Sequence, residues 1–202
     1  MDTKRGQFRS IEMDDIDRWE KDPMWDDEVS REFYNLPLAL TTKEAIDQGK
    51  KLGVGVPEDE LYQTAHYYCA MSPMTYRSAF KHAIDFLVLD GTPILAASSG
   101  MVVETQEHSD EWGDDVAFRD KLNYITVQHT PTEYSQYCHV MKNSARDAGI
   151  CVGAAVKEGQ VIGIVGKNEI TDRDHLHFIV FRLDKNPSPF GFKSLVSKWK
   201  DV

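Results

Sequence analysis

The segment His175-Leu176-His177-Phe178-Ile179-Val180-Phe181 is the most informative part of this chain for its fold. Its apolar second half has the length of a buried strand. Because residues i and i+2 of a strand lie on the same face, His175 and His177 should point the same way while Leu176 points into a core. Two such imidazoles can bind one metal ion, or one can bind metal while the other transfers protons. Two hydrogen-bonded histidines on a half-buried strand are the alternative interpretation.

Short apolar runs of the same kind recur through the second half of the chain. The turn pair Asp90-Gly91 follows the first of them. The runs cover residues 83–88, 94–97, 101–104, 124–129, 134–140, 161–165 and 176–181, with glycines between them. Many short strands with regular turns predict a mainly β fold, with a compact antiparallel sheet or sandwich.

The first part of the chain has a different pattern. Thr41 and Glu44 form a capping-box pair that predicts a short helix through about Lys51. Pro57, with acidic residues after it, predicts a second helix to about Ala70. We therefore predict a helical and irregular N-terminal extension over residues 1–75, a β domain over residues 76–202, and an α+β fold overall.

Composition limits the function classes. The chain has 202 residues, of which 41% are hydrophobic and 28% charged, so a packed core is expected. The net charge of −10 and the lack of a basic stripe argue against nucleic acid as a partner. The three cysteines have no CxxC spacing, which argues against a thiolate zinc site. Neither a transmembrane stretch nor a secretory signal is visible, and composition leaves the oligomeric state unknown.

An acidic segment interrupts the β pattern at residues 107–120. Its carboxylates could suit calcium, but their spacing matches no known calcium-binding loop. We predict a solvated hairpin tip.

Histidine and aspartate side chains that could bind a metal ion or transfer protons lie within or beside four of the predicted strands. These pieces are Lys81-His82-Ala83-Ile84-Asp85-Phe86, Tyr124-Ile125-Thr126-Val127-Gln128-His129, Ser135-Gln136-Tyr137-Cys138-His139 and His175-Leu176-His177-Phe178. A carboxylate with imidazoles is a ligand set that zinc accepts for hydrolysis, with one position left for water. A further histidine that does not bind the metal can accept a proton or stabilise developing charge. No G-x-S-x-G serine motif is present.

The stretch from Lys81 to Phe181 resembles the lysostaphin-like (LytM-type) zinc metallopeptidase domain, and the matching motifs come in the family's order. They are Ala83-Ile84-Asp85-Phe86, Asp90-Gly91-Thr92-Pro93-Ile94-Leu95-Ala96-Ala97, Gly100-Met101-Val102-Val103, Asn123 to His129, Tyr137-Cys138-His139, Val156 to Gly163 and His175-Leu176-His177-Phe178. Each motif is weak alone, and together they are specific.

The resemblance implies a zinc-dependent endopeptidase that cleaves peptide cross-links of bacterial peptidoglycan. It implies Asp85 and His177 as metal ligands, and His139 and His175 as catalytic histidines that do not bind the metal. It also implies a periplasmic or secreted location, although a cytoplasmic one stays open because no signal peptide is visible.

One metal-ligand position departs from the family pattern. The family's first ligand lies four residues before the aspartate, where this chain has Lys81, a poor ligand at neutral pH. We expect His82 to be the third ligand, which requires a distorted strand because its spacing from Asp85 places it on the wrong face. The alternatives are His66, or no complete site.

The incomplete ligand pattern keeps other functions open. One is a degenerate domain of the same fold that binds cell wall or regulates a partner hydrolase without turnover. Another is a cytosolic binding module of unrelated purpose.

Overall fold

The computed structural model describes residues 27–71, 78–184 and 191–200. The helices and strands, in chain order, are β1 (Val29–Tyr34), α1 (Thr42–Leu52), β2 (Leu61–Thr64), β3 (Tyr67–Ala70), β4 (Ile84–Phe86), β5 (Pro93–Leu95), β6 (Gly100–Gln106), β7 (Trp112–Gly113), β8 (Tyr124–Gln128), β9 (Tyr134–Cys138), α2 (Ser144–Asp147), β10 (Ala155–Val156), β11 (Val161–Ile164), β12 (Glu169–Ile170), β13 (Leu176–Leu183), β14 (Phe192–Ser194) and β15 (Val196–Trp199). The mainly β fold predicted from the sequence is confirmed, and each of the predicted strands is present.

A nine-stranded sheet forms the main layer. Its strand order is β10-β6-β8-β9-β13-β4-β3-β2, and β14 pairs with β13 beside this path. All the pairs within this sheet are antiparallel. Smaller two-stranded sheets join β5 to β11, β7 to β12, and β1 to β15.

The two faces of the main sheet have different partners. On one face, Phe178, Val180 and Tyr137 belong to the fully buried core. This core also takes in Ile94 and Ile162 from the β5–β11 pair. Because side chains alternate along each strand, the residues between them face the other side. There Ile179 and Phe181 pack with Phe192 in a second buried cluster, and we call the part of this face around Asp85 and His177 the cleft.

The register across three strands brings the predicted site together on that cleft face. His177 of β13 lies opposite Asp85 of β4 on one side and opposite Cys138 of β9 on the other. Directly paired residues of antiparallel strands point to the same face. The side chains of Asp85, His177 and Cys138 therefore form a row across the sheet.

The N-terminal part confirms one predicted helix and contradicts the other. Helix α1 begins after Thr41, whose side chain and that of Glu44 form the complete capping box. The helix expected over residues 57–70 is wrong: the chain forms the hairpin β2–β3 there, with a turn in which Ala65 has a φ of 53°. The aromatic residues of this hairpin suit a strand, and β4 offers an edge to which β3 pairs.

The predicted boundary between residues 75 and 76 lies outside the described residues, within the gap at 72–77. On the described side of that gap, the hairpin β2–β3 continues the main sheet through its pairing with β4. The division into residues 1–75 and 76–202 stays a prediction.

The acidic segment joins the antiparallel strands β6 and β8 and most of its residues are exposed, as predicted for a solvated hairpin tip, but parts of it also dock on the fold. Ser109 is buried, and β7 pairs in parallel with β12, the strand just before the His175 region. The carboxylate of Glu107 accepts hydrogen bonds from the backbone of Ala145 and Arg146, after the His139 region. Sequence patterns gave no sign of this docking because the partner groups, in β12 and at Ala145 and Arg146, lie far away in the sequence.

None of the described helices combines the length and hydrophobicity that a membrane-spanning helix requires.

Candidate active site

Asp85 and His177 form the centre of the cleft. The Asp85 Oδ1 and His177 Nδ1 atoms are 2.7 Å apart, within a hydrogen bond. Burial alone would raise the pKa of Asp85, but the charges of His177 and His175 outweigh it and hold that pKa below its ordinary value. Burial likewise opposes the charge on His177, yet the Asp85 carboxylate raises the pKa of His177. The Asp85 carboxylate therefore accepts a hydrogen bond from His177, and each group stabilises the charged form of the other.

His139 joins this pair because the strand ends just before it. Strand β9 stops at Cys138, and His139 has a φ of 60° in the left-handed region. The strand alternation that would send Cys138 and His139 to opposite faces is broken there. The ring centroid of His139 consequently lies 6.5 Å from that of His177.

His175 lies against His139, with the two ring centroids 4.3 Å apart. The His175 Nδ1 atom is 3.1 Å from the Arg173 carbonyl oxygen, and the His139 Nδ1 atom is 2.9 Å from the Asn168 carbonyl oxygen. A carbonyl oxygen only accepts hydrogen bonds, so both Nδ1 atoms carry the proton in these contacts. In the neutral rings, each Nε2 atom is then the nitrogen that can accept a proton.

Burial lowers the pKa of His139 well below its ordinary range, and nearby His175 and His177 lower it further. His139 is therefore a neutral imidazole at pH 7, the form in which histidine can act as a base.

His82, the residue expected to complete the metal site, points elsewhere. Its Nε2 atom is 3.4 Å from the Asp27 Oδ1 atom, and its backbone N–H donates to the Ser194 hydroxyl. Lys81 makes an ion pair with the same Asp27 carboxylate at 2.6 Å. Within residues 27–71, 78–184 and 191–200, no three His, Cys, Asp or Glu side chains gather into a group that could hold a metal ion.

His66, the alternative ligand, lies in the turn between β2 and β3. Its ring packs on Tyr67 with the centroids 4.5 Å apart. Along β3, Tyr67 is three residues from Ala70, the residue paired with Asp85. The structure thus brings together Asp85, His177, His139 and His175, and leaves both His82 and His66 outside this group.

Other histidines and aromatics have structural contacts. The two ring nitrogens of His129 form hydrogen bonds with the Ser99 carbonyl and the Ser135 hydroxyl. The Tyr137 hydroxyl accepts from the Ala97 N–H in the core. His108 is exposed.

Sequence reasoning missed Glu169 and Asn168, which lie in the loop before His175. Glu169 has a φ of 69°, and burial raises the pKa of its carboxyl to about 7 against the opposing charges of His177 and Arg119. Asn168 is fully buried and its carbonyl oxygen accepts from His139. The polar run Lys167-Asn168-Glu169 was the available signal, but it resembles an ordinary loop.

The donor chemistry of the cleft fits zinc at two positions. A carboxylate oxygen and an imidazole nitrogen are ligands that zinc accepts, and Asp85 and His177 supply them side by side. A catalytic zinc usually has three protein ligands. The described residues supply no third donor beside this pair.

The described residues form a β-rich domain in which an aspartate and three histidines lie together on one face of the main sheet. A family model described as Peptidase family M23 matches residues 79–189, which is more than half of the chain. The chain belongs to peptidase family M23.

Curated relatives agree with this assignment. The peptidoglycan DD-endopeptidase ShyC of Vibrio cholerae serotype O1 is 30% identical over 137 residues, which cover 65% of this chain and 28% of that protein. Lysostaphin of Staphylococcus simulans is 27% identical over 106 residues, covering 52% of this chain and 19% of that protein. The chain therefore spans less than a third of the length of these relatives.

Two solved structures are similar to part of this chain. The catalytic domain of lysostaphin from Staphylococcus simulans has a TM-score of 0.40 and 27% sequence identity, and the match covers 56% of this chain and 74% of that chain. A zinc-containing peptidase from Vibrio cholerae gives a TM-score of 0.41 and 22% identity, covering 62% of this chain and 34% of that chain.

Proposed function

We propose that this chain is a zinc-dependent endopeptidase that hydrolyses peptide cross-links of bacterial peptidoglycan. The observation that carries the proposal is the cluster of Asp85, His177, His139 and His175 in one cleft of an M23 domain. The peptidoglycan endopeptidases among its relatives support this substrate class. Its proposed place of action is the periplasm or the cell exterior, where that polymer lies.

The proposed division of labour follows from the contacts. Asp85 and His177 would hold the zinc ion, which polarises a scissile carbonyl and makes water more acidic. His139 is neutral and has its proton on Nδ1, so its Nε2 atom accepts a proton from the attacking water. His175 lies against the His139 ring and, in the form protonated on both nitrogens, would stabilise the oxygen on which negative charge develops.

The proposed zinc ion needs a third protein ligand besides Asp85 and His177. We keep His82 as the proposed ligand, which requires its ring to leave Asp27 and turn toward Asp85. The His82→Ala variant should then lose zinc. Zinc binding equal to that of the parent would assign His82 a structural role instead.

A second function is favoured by a specific observation. Lys81 occupies the family's first ligand position and is bound to Asp27, and the described residues contain no three-donor group. A domain built in this way would bind peptidoglycan peptides, or a partner hydrolase, without cleaving them.

One experiment separates the two functions. The full chain is freed of metal and titrated with zinc, and bound zinc is measured by mass spectrometry. The loaded protein is then incubated with purified cross-linked peptidoglycan, followed by chromatography of the soluble products and by co-sedimentation. Zinc-dependent release of cleaved peptides supports the endopeptidase, whereas co-sedimentation without products supports the binding domain.

Variants test the individual roles. Asp85→Ala and His177→Ala should abolish zinc uptake, while His66→Ala serves as a histidine control outside the cleft. His139→Ala and His175→Ala should keep zinc and lose about 10²–10⁴-fold in rate, the usual contribution of acid–base groups. Loss of zinc in either of the last two variants would instead make that histidine a ligand.

A further inference from the structure

His139 has a backbone conformation that needs support. A left-handed φ of 60° is uncommon for a residue other than glycine and persists where the surroundings fix it. This conformation is also what turns the ring toward His175 and His177. The groups that hold His139 in place therefore bear on the proposed chemistry.

Asn168 holds His139 at two points. Its backbone carbonyl accepts a hydrogen bond from the His139 Nδ1–H at 2.9 Å. Its side-chain Nδ2 atom donates to the carbonyl oxygen of Val140, the next residue along the chain, also at 2.9 Å. Asn168 thus fixes both the ring and the following peptide unit, and it is fully buried.

Asn123, the residue just before β8, completes the arrangement. Its backbone N–H donates to the Asn168 Oδ1 atom at 2.7 Å, and its own Nδ2 atom donates to the Val140 carbonyl at 2.9 Å. Asn123 also exchanges two hydrogen bonds with the backbone of Ser109 in the acidic segment. Buried polar groups that satisfy one another in this way define a single arrangement, because breaking one bond leaves an unpaired group.

We propose that Asn168 and Asn123 are positioning residues that hold His139 as the Nδ1-protonated tautomer, with Nε2 available as the base. This inference rests on the role of His139 under the proposed function. Neither asparagine reacts; each acts through the placement of His139. The acidic segment helps to fix Asn123, because the Ser109 N–H donates a hydrogen bond to the Asn123 Oδ1 atom.

The test reads the tautomer directly. Long-range proton–nitrogen NMR spectra of the full chain, with histidines labelled with nitrogen-15, distinguish Nδ1–H from Nε2–H imidazole. We expect a single Nδ1–H form for His139 in the parent and a mixture of both forms in Asn168→Ala. If Asn168→Ala unfolds, the isosteric Asn168→Asp, which loses the donor to Val140, is measured instead.

The matched control is Ser135→Ala, which removes buried hydrogen bonds to His129 and Tyr137 on the opposite face of the same sheet. It should lower thermal stability without changing the His139 tautomer. An unchanged tautomer in the Asn168 variants, or an equal change in Ser135→Ala, would overturn the proposal.

Kinetics separate this proposal from the proposed function. With an active parent, the Asn168 variant should lose about tenfold or more in kcat while KM stays within about twofold, since a misplaced base affects the chemical step. An inactive parent counts against the endopeptidase function, and the tautomer measurement still decides the role of Asn168.

Discussion

Lys81 is the residue at which this chain departs from the metal-ligand pattern of the family. It has the position four residues before Asp85 where the family has its first ligand, and its ammonium group is bound to Asp27 instead. A protonated amine has no lone pair to offer a metal ion. The side chain at this one position therefore decides how many donors the cleft can supply.

Replacing Lys81 with histidine should complete the donor set. We expect Lys81→His to bind zinc at least about tenfold more tightly than the parent, which corresponds to about 1.4 kcal/mol. Zinc affinity is measured by competition with a chromogenic chelator. Lys81→Ala breaks the same ion pair without adding a donor, so an equal gain in that variant would assign the effect to loss of the lysine charge.

Glu169 gives a pH-dependent prediction for the metal-free protein. The ordinary pKa of glutamate in an unfolded chain is about 4.3, and burial raises the pKa of Glu169 in the folded protein to about 7. Between these values the folded state binds more protons than the unfolded state, so the free energy of unfolding falls as pH rises.

Glu169→Gln removes the free-energy cost of ionising the buried Glu169 carboxyl. We expect a melting temperature a few degrees higher at pH 8, equivalent to about 1 kcal/mol because the side chain is only partly buried, and little change at pH 4.5. Calorimetry in the presence of a chelator measures both. Glu111→Gln, which changes an exposed glutamate of the adjoining segment, is the control. A stabilisation that is the same at both pH values would contradict the assignment.

At the scale of the elements, the loop after β11 passes very close to the segment that follows His139. The Gly166 N–H donates to the His139 carbonyl at 2.8 Å, and a Cβ atom at Gly166 would lie 2.7 Å from the Met141 Cα atom. Only glycine allows this approach, because the atom it would meet belongs to the backbone.

Gly166→Ala should therefore cost about 1–3 kcal/mol of stability and displace His139. Gly163→Ala is the matched control in β11, since its Cβ would lie 3.2 Å or more from the nearest atoms, which are side-chain atoms. Urea unfolding compares the two variants, and activity shows whether the cleft has moved. Equal losses from both substitutions would mean that the Met141 contact is not the cause.

At the scale of the whole molecule, the start and the end of the described chain form one parallel pair, β1 with β15. Glu133 attaches this pair to the main sheet: its carboxylate accepts hydrogen bonds from the Arg31 and Glu32 backbone and from the Tyr34 hydroxyl. A buried carboxylate with three donors contributes more than a neutral hydrogen bond.

Glu133→Ala should lower the free energy of unfolding by about 2–4 kcal/mol. Hydrogen exchange should become faster in β1 and β15, while β9 and β13 keep their protection. Glu133→Gln retains an acceptor oxygen and should lose less. Faster exchange throughout the main sheet would show instead that the termini and the sheet unfold as one unit.

Sequence patterns were sufficient to predict the seven strands between residues 83 and 181, the turn at Asp90-Gly91 and the capped helix α1. Alternation and glycine spacing are local properties, and local interactions suffice to fix them. The motif order around Asp85 and His175-Leu176-His177 also identified the family that the comparisons show.

Three other features of the fold and the site depend on contacts between residues that are distant in the sequence. The hairpin β2–β3 formed where a helix was predicted, because β4 offers β3 a partner strand. The acidic segment pairs with β12 through backbone hydrogen bonds. His139 itself has a left-handed backbone conformation that turns its ring into the cleft, where its Nδ1 atom bonds the Asn168 carbonyl. Each of these outcomes depends on groups distant in sequence, whose contacts have no local pattern from which they could be read.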